Sequence, residues 1–434
     1  MQSTTTQTPT TQHTCSTALQ APWRTKLMGI PYYVASLLRV HKHIQRRLVS
    51  GYKVDLFAID FNCFIHHALK AENPIGSVIV ALHELMQTVE AKQVYIAFDG
   101  LVPYAKMVQQ RYRRMRNGEP GEFDKHQISP GTPFMKKLAQ ALRFVFPEVI
   151  VSDTLEPGEG EHKVFQWLRT QPPSSVCIYG LDADLVLIAL AQSHLGDIHL
   201  FRESEESGQT LLSIRELEKV LPIEKDVFIK MSVMCFGNDF MPNLAMFSLR
   251  ENGYTRALYY ADRNDADKDE LKTLVKCAKG VNRHILAPDG HALEQRMSVH
   301  LMDGVLDWEP VCRAFWKTFE WTHHYFTTSE VLDWEWYYPY PEAPLLQTLE
   351  DFERPTEFTW EHPTPTMTVE DQLRFILPEA SLVKAGLTPV FPDELYDEEK
   401  ESRHPWLRRF AWECDPWVSL PHGTLTSVSE IRLV

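Results

Sequence analysis

No stretch of this chain approaches the roughly 18 consecutive apolar residues that a membrane-spanning helix requires. Cysteine is sparse: the seven residues Cys15, Cys63, Cys177, Cys235, Cys277, Cys312 and Cys414 are dispersed, and no two form a CxxC pair. An odd, scattered set argues against a disulfide framework and against a structural zinc site, and it suits a reducing compartment. No internal repeat is visible. Residues 1–27 contain no Asp or Glu, and are rich in Thr, Gln and Ser. They read as a disordered extension, against a weak transit-peptide pattern.

A second gap in acid is more informative. The 434 residues carry a formal net charge of -14, yet no acid lies between Gly100 and Gly118. Lys106, Arg111, Arg113, Arg114 and Arg116 fall together there, just after Asp99. The overall acidity argues against broad, nonspecific coating of nucleic acid, while leaving room for a narrow basic channel. Positive charge concentrated beside a carboxylate points to a gripped anion, phosphate first, and to a metal. With 44% hydrophobic and 24% charged residues, the chain is expected to be soluble and globular, with one large domain and one smaller.

From Val54 to Leu200 short apolar runs alternate with helical patterns. Strands are expected at 54–60, 94–98, 148–152, 176–180 and 197–201, and helices at 75–90, 104–116, 132–146, 159–169 and 184–193. This alternation is that of a mostly parallel, twisted α/β sheet flanked by helices, whose ligands bind beyond the carboxyl ends of the strands. Past Gly253 the strand signals fade. Residues 255–330 read as mainly helical, with 268–280 the clearest case, and 334–366 are rich in Trp, Tyr and Pro.

Asp60, Asp99 and Asp182 stand at or just past three strand ends. Glu159 and Glu161 in PGEGEHK, Asp184 in GLDADL and Asp239 in FGNDF add to them. A lone Asp at such a place is commonly a helix N-cap. Two i,i+2 pairs set among small residues in turns are less ordinary, because a turn lets both acids face one crevice. Seven clustered acids need cations, and hard oxygen ligands suit Mg²⁺ or Mn²⁺, expected as two ions.

At about 100° per residue, Lys106, Gln110, Arg113 and Arg114 share one helical face about 100° wide, while Arg111 and Arg116 point elsewhere. A charge run is ordinarily a solvated face. Beside Asp99, two arginines, a lysine and an amide on one face can instead hold a terminal phosphate. His66 in DFNCFIH, and Trp334 and Trp336 in WEWYY, read either as core or as platforms for a base.

In order along the chain, MGIPYY (28–33), DFNCFIH (60–66), FDG with PYAKMVQQRYRR (98–114), ISPGTPFM (128–135), PGEGEHK (157–163), GLDADL (180–185) and GNDFMP (237–242) closely resemble the Xrn family of 5′→3′ exoribonucleases. WYYPYPEAP (336–344), FILPEAS (375–381) and RRFAWECDPW (408–417) resemble its later helical region. The resemblance implies a PIN/FEN-like nuclease core over 28–250, a shortened helical domain over 251–420 and a tail over 421–434. It implies that Asp60, Asp99, Glu159, Glu161, Asp182, Asp184 and Asp239 are catalytic, metal-binding carboxylates. It further implies that Lys106, Gln110, Arg113 and Arg114 bind a 5′-monophosphate, and that His66 stacks on the first base with one of Trp334 and Trp336 as its partner. The implied substrate is single-stranded RNA with a 5′-monophosphate, released as mononucleotides. Decapping or decay factors are the implied partners, a monomer the implied state, and the cytoplasm or nucleus the implied compartment.

The chain departs from the family in its shortness, in the absence of the additional C-terminal domains, and in a compressed interval between GNDF and WYYP. It also has an extension before Met28, and Tyr104 stands where a basic residue is usual. Such a compact form is similar to those of large DNA viruses. Two other readings remain. A flap-type DNA endonuclease would place a Gly-rich, Gly-Pro-Lys-containing hairpin after the last Asp, where this chain has MPNLAMFSLRENG. A catalytically inactive RNA-binding decay scaffold would be expected to have lost acids.

Overall fold

The structure, a computed structural model, describes residues 30, 32–116, 123–204, 207–249, 252–262, 307–340 and 342–388. The expectations for 1–27, for the helix at 268–280, for the motif at 408–417 and for the tail at 421–434 lie outside these.

Among the described residues a seven-stranded sheet runs in the order β1-β7-β6-β5-β2-β3-β4. The strands are β1 (Gln45–Arg47), β2 (Tyr52–Asp60), β3 (Val89–Ala97), β4 (Ile150–Ser152), β5 (Ser174–Tyr179), β6 (Gly196–Ser204) and β7 (Gly208–Ser213). The five from β6 to β4 are mutually parallel, and β7 turns back antiparallel between β6 and β1. The sheet is therefore mostly parallel, as the alternating pattern requires. The last five residues of β2 are all buried, which is the mark of a central strand covered on both faces. Its side chains alternate between two cores: Leu56 and Ala58 enter one, Phe57 and Ile59 the other.

Helices cover both faces. One core takes residues from α1 (Tyr33–Val40), α6 (Gly160–Leu168), α7 (Leu185–Ala191), α9 (Lys225–Phe236), α10 (Gly253–Asp262) and α11 (Glu309–Thr328). The other takes α2 (Phe61–Ala68), α3 (Pro74–Thr88) and α5 (Pro133–Val145). Helices α3 and α5 begin alike, with Pro at the first turn and a capping side chain before it. Asn73 accepts from the Gly76 N–H at 3.1 Å, and Thr132 from the Met135 N–H at 3.4 Å. Helix α8 (Ile214–Val220) follows β7.

A third apolar cluster lies apart from the sheet. It joins α4 (Tyr104–Arg116), through Met107 and Val108, to Leu373, Phe375 and Ile376 of α13 (Val369–Ile376) and Leu382 of α14 (Glu379–Lys384). Helix α12 (Leu346–Asp351) precedes them. The start of α13 is fixed by a capping box between Thr368 and Asp371. The sequence reading of 94–98 as a strand and 75–90 as a helix is adjusted by the structure: β3 already begins at Val89, where α3 ends. Strands β7 and β1 had no counterpart in that reading.

Candidate active site

Strand β2 lies between β3 and β5, all parallel, with Asp60 opposite Ala97 and Ile59 opposite Tyr179. Asp60, Asp99 and Asp182 therefore leave three neighbouring strands at one edge of the sheet. The loop after β3 is zipped to the PGEGE loop by two backbone bonds, Gly100 N–H to Gly158 O at 2.8 Å and Gly158 N–H to Leu101 O at 2.6 Å. Glycine is needed for that approach: a Cβ on Gly100 would stand 1.8 Å from the Glu156 carbonyl oxygen, and one on Gly160 would stand 2.9 Å from both Ala97 O and Asp60 Oδ1. The zipper brings the Gly160 N–H to Asp99 Oδ1 at 2.8 Å, and the Asn62 side-chain amide donates to Asp99 Oδ2 at 2.8 Å.

Oxygens of Asp60, Glu161 and Asp182 lie within 4.8 Å of one another. Burial first, then the charges of Asp99 and Asp182, holds the Asp60 carboxyl well above the usual carboxylate range. Burial and neighbouring acids do the same to Glu161 and Asp184, and burial raises Asp182 and Glu159 against the opposing pull of Lys106. Asp239 bears on Asp182, Asp184 and Glu159, so all seven acids form one electrostatic group.

Lys106 enters this group from α4. Its ammonium lies 2.5 Å from Glu159 Oε2 and 2.8 Å from Asp239 Oδ2. Burial works against its charge, but Asp239, Glu159, Glu161 and Asp184 more than offset this and hold its pKa well above the ordinary lysine value. Gln109 donates to the other Asp239 oxygen at 3.2 Å, and the Tyr325 hydroxyl of α11 donates to Glu159 Oε1 at 3.0 Å. Glu161 Oε2, Asp182 Oδ1 and Asp184 Oδ1 are buried with no hydrogen-bond donor among the described residues. Orphaned carboxylate oxygens buried together are costly unless a cation offsets their charge. The all-oxygen donor set fits a hard divalent ion.

The other α4 residues divide. Arg114 is half-buried; its Nε donates to Ser129 Oγ at 3.0 Å and one terminal nitrogen to Gln110 O at 3.2 Å. Burial, then the neighbouring Arg113, brings its pKa down to about 9. Arg113 is also half-buried, and its charge acts on Asp182. Gln110 is buried, and its Oε1 has no partner among the described residues. Arg111, on the opposite side, is fully buried, donates to Phe375 O and lies 5.1 Å from the Phe375 ring centroid. It is a strut between α4 and α13. Nothing is described of the Arg116 side chain. Tyr104 packs against Tyr337 and Phe375, and burial pushes its phenol up to about 12.

His66 is half-buried in the last turn of α2, six residues after Asp60. The two tryptophans differ. The Trp336 indole N–H donates to Thr318 Oγ1 at 3.1 Å, and the Lys317 ammonium lies 4.2 Å from its ring, so it is tied to α11. Trp334 belongs to the α4 side: its carbonyl accepts the Tyr104 N–H at 2.9 Å and its half-buried ring packs on the third cluster. Four polar residues about the acids had not been singled out from sequence: Asn62, Gln109, Tyr325 and Arg202, whose guanidinium donates to the carbonyls of Leu181 and Asp182. Asn62 could have been found inside the DFN motif. Tyr325 carries no local signal.

The family whose description is XRN 5′-3′ exonuclease N-terminus matches residues 28–122 and 116–204. That span holds six of the seven acids and all of α4. Over that span the chain is similar to the XRN 5′-3′ exonuclease family. It is similar to 5′-3′ exoribonuclease 2 of Kluyveromyces lactis, 28% identical over 302 residues covering 46% of this chain and 30% of that protein. With 5′-3′ exoribonuclease 2 of Saccharomyces cerevisiae it is 30% identical over 348 residues, 52% of this chain and 34% of that protein. The chain thus spans about a third of the length of these curated relatives. Among solved structures, the catalytic core of Rad2 in complex with DNA substrate aligns at 16% identity and a TM-score of 0.41, over 83% of this chain and 97% of that one. Asp239, Tyr325, Trp334 and all of α13 lie beyond the matched span.

Proposed function

We propose that this chain is an XRN-type, metal-dependent 5′→3′ exoribonuclease that hydrolyses single-stranded RNA from a 5′-monophosphate end and releases 5′-mononucleotides. The observation that carries this reading is the Lys106 link: one side chain joins a buried, incompletely partnered carboxylate centre to the cationic face of the next helix. A site that cuts next to the end it grips needs these two parts in contact.

In this reading Asp60, Glu161 and Asp182 hold the first of two Mg²⁺ or Mn²⁺ ions, and Asp99, Glu159, Asp184 and Asp239 complete the centre. When bound, such ions stabilise the attacking and leaving oxygens of a phosphodiester displacement. The protein supplies the remainder. Asn62 and the Gly160 N–H orient Asp99. Lys106, Gln110, Arg113 and Arg114 receive the terminal phosphate, the three cations by charge-assisted bonds. His66 and Trp334 are the stacking pair for the 5′ base, because Trp336 is already committed to Thr318 and Lys317. Two domains follow from the same reading, a nuclease domain over 28–250 and a shortened helical domain over 251–420, acting as a monomer in RNA decay.

The test is incubation of the purified chain with 5′-monophosphorylated and 5′-hydroxyl RNAs of one sequence in Mg²⁺. Rapid release of mononucleotides from the phosphorylated RNA alone is expected. Equal degradation of the two RNAs refutes the phosphate site, and internal fragments refute the exonuclease reading.

A further inference from the structure

The Lys106 ammonium has three N–H groups and two fixed acceptors, Glu159 at 2.5 Å and Asp239 at 2.8 Å. Both acceptors are themselves held. Gln109 holds Asp239 at 3.2 Å from within α4. Glu159 is held by Tyr325, which comes from α11, 166 residues farther along the chain. Glu159 and Tyr325 are almost wholly buried, at 3% and 1% exposure, so no solvent competes for the bond. With Oε1 taken by the phenol and Oε2 by the ammonium, the Glu159 carboxylate cannot swing without breaking one of them. The phenol is also fixed in place: the Tyr325 ring stacks on His162, with centroids 3.6 Å apart, and packs against Trp321 and Phe240. The relay Tyr325–Glu159–Lys106 thus runs through rigid parts from end to end, and its last member is a lysine on the phosphate-facing side of α4.

We infer that Tyr325 is a positioning residue for 5′-end recognition: by fixing Glu159 it fixes the Lys106 ammonium, and so aims the third N–H of that lysine at the terminal phosphate of the substrate. The inference rests on the phosphate-binding reading of α4, and it adds a residue outside the segment matched to the family. Without the phenol oxygen, Glu159 has one unpaired buried oxygen and a second rotamer open to it. The ammonium then follows the carboxylate, and its free N–H loses its direction. A directed charge-assisted bond becomes an undirected charge, while the neighbouring Arg113 and Arg114 continue to attract the backbone of any RNA.

The experiment measures binding without turnover. Fluorescence anisotropy in EDTA gives the affinity of the full chain for a 5′-phosphorylated and a 5′-hydroxyl oligoribonucleotide of one sequence. The wild type is expected to prefer the phosphorylated end. Tyr325→Phe removes one oxygen and little volume, and is expected to reduce that preference about tenfold while leaving affinity for the hydroxyl end unchanged. Glu159→Gln should reduce it similarly, and the double variant should lose no more than the worse single, because both cut one relay. A wild type with no preference overturns the phosphate reading and this inference with it. A wild type that discriminates, together with a Tyr325→Phe protein that discriminates equally, overturns the inference alone. Equal weakening toward both oligonucleotides assigns Tyr325 a merely structural role and overturns it too. Should Tyr325→Phe fold poorly, the Glu159→Gln measurement decides on the same criteria.

Discussion

Gln372 offers a sharp test of how the site is braced from outside the sheet. This α13 side chain is fully buried and faces the loop between Asp99 and α4. Its Oε1 accepts the Val102 N–H at 2.9 Å, and its Nε2 donates to the Gly100 carbonyl at 3.3 Å. The pair imitates one rung of a sheet, made by a side chain. Gln372→Leu keeps the size and removes both partners. A buried backbone group left unsatisfied costs about 1–3 kcal/mol. The shorter bond at Val102 counts toward the upper part of that range and the longer one at Gly100 toward the lower, about 3–4 kcal/mol together. The better burial of leucine offsets about 1 kcal/mol of this. The expected net loss is about 2–3 kcal/mol, read as a fall in the urea midpoint at unchanged m-value. Native-state hydrogen exchange localises it: protection at the Val102 amide should fall by more than at amides of β2. A loss below about 0.5 kcal/mol, or unchanged exchange at Val102, would refute the idea that this amide pair holds the loop.

Other expectations follow from the same geometry. Millimolar Mn²⁺ should raise the melting temperature, since an ion that binds only the folded chain at 100 times its Kd adds about 2.7 kcal/mol; Asp182→Ala should lose most of that shift and all cleavage while still binding RNA in a gel shift. Gly160→Ala should cost about 1–3 kcal/mol in urea denaturation, because its Cβ meets Ala97 O and Asp60 Oδ1 at 2.9 Å and neither can retreat, and it should weaken Mn²⁺ binding measured by calorimetry. His323 is half-buried; desolvation, then the Lys230 charge, brings its pKa down to about 4. A folded value below the unfolded one means full stability above about pH 6.5 and a loss as pH falls toward 4, of at most about 3 kcal/mol. The urea midpoint of His323→Gln should therefore fall less between pH 7.5 and pH 5 than that of the parent.

Much of the sheet and its flanking helices was legible in the chain because that information is local. Runs such as VDLFAID and VCIYG are short, apolar and bounded by turn residues, so they read as buried central strands, and β2 and β5 are such strands. The helix expected at 104–116 has those limits in the structure. A parallel sheet carries each strand end to the same edge, so acids at strand ends are neighbours whatever their separation in sequence. Strands β1 and β7 gave no comparable signal. β1 is only three residues long, and the two lie at or next to the sheet's edge, where pairing partners rather than composition define a strand.

Side-chain direction was a different matter. Helical spacing grouped Lys106 with Arg113 and Arg114, but seven nearby acids draw its ammonium inward, and the field of those acids exists only once the strands are assembled. Arg111 read as a bystander on the helical wheel; it is a fully buried strut, because α13 closes over that side of α4. The choice between Trp334 and Trp336 was open for the same reason, and it turns on whether Thr318 and Lys317 of α11 stand beside the ring. Tyr325 and Gln372 reach the site from 166 and 270 or more residues away in sequence. Local patterning ranks residue types and sets the strand ends. Which donor meets which carboxylate depends on packing between elements far apart in the chain, and there the low-dielectric interior makes a single buried contact decisive.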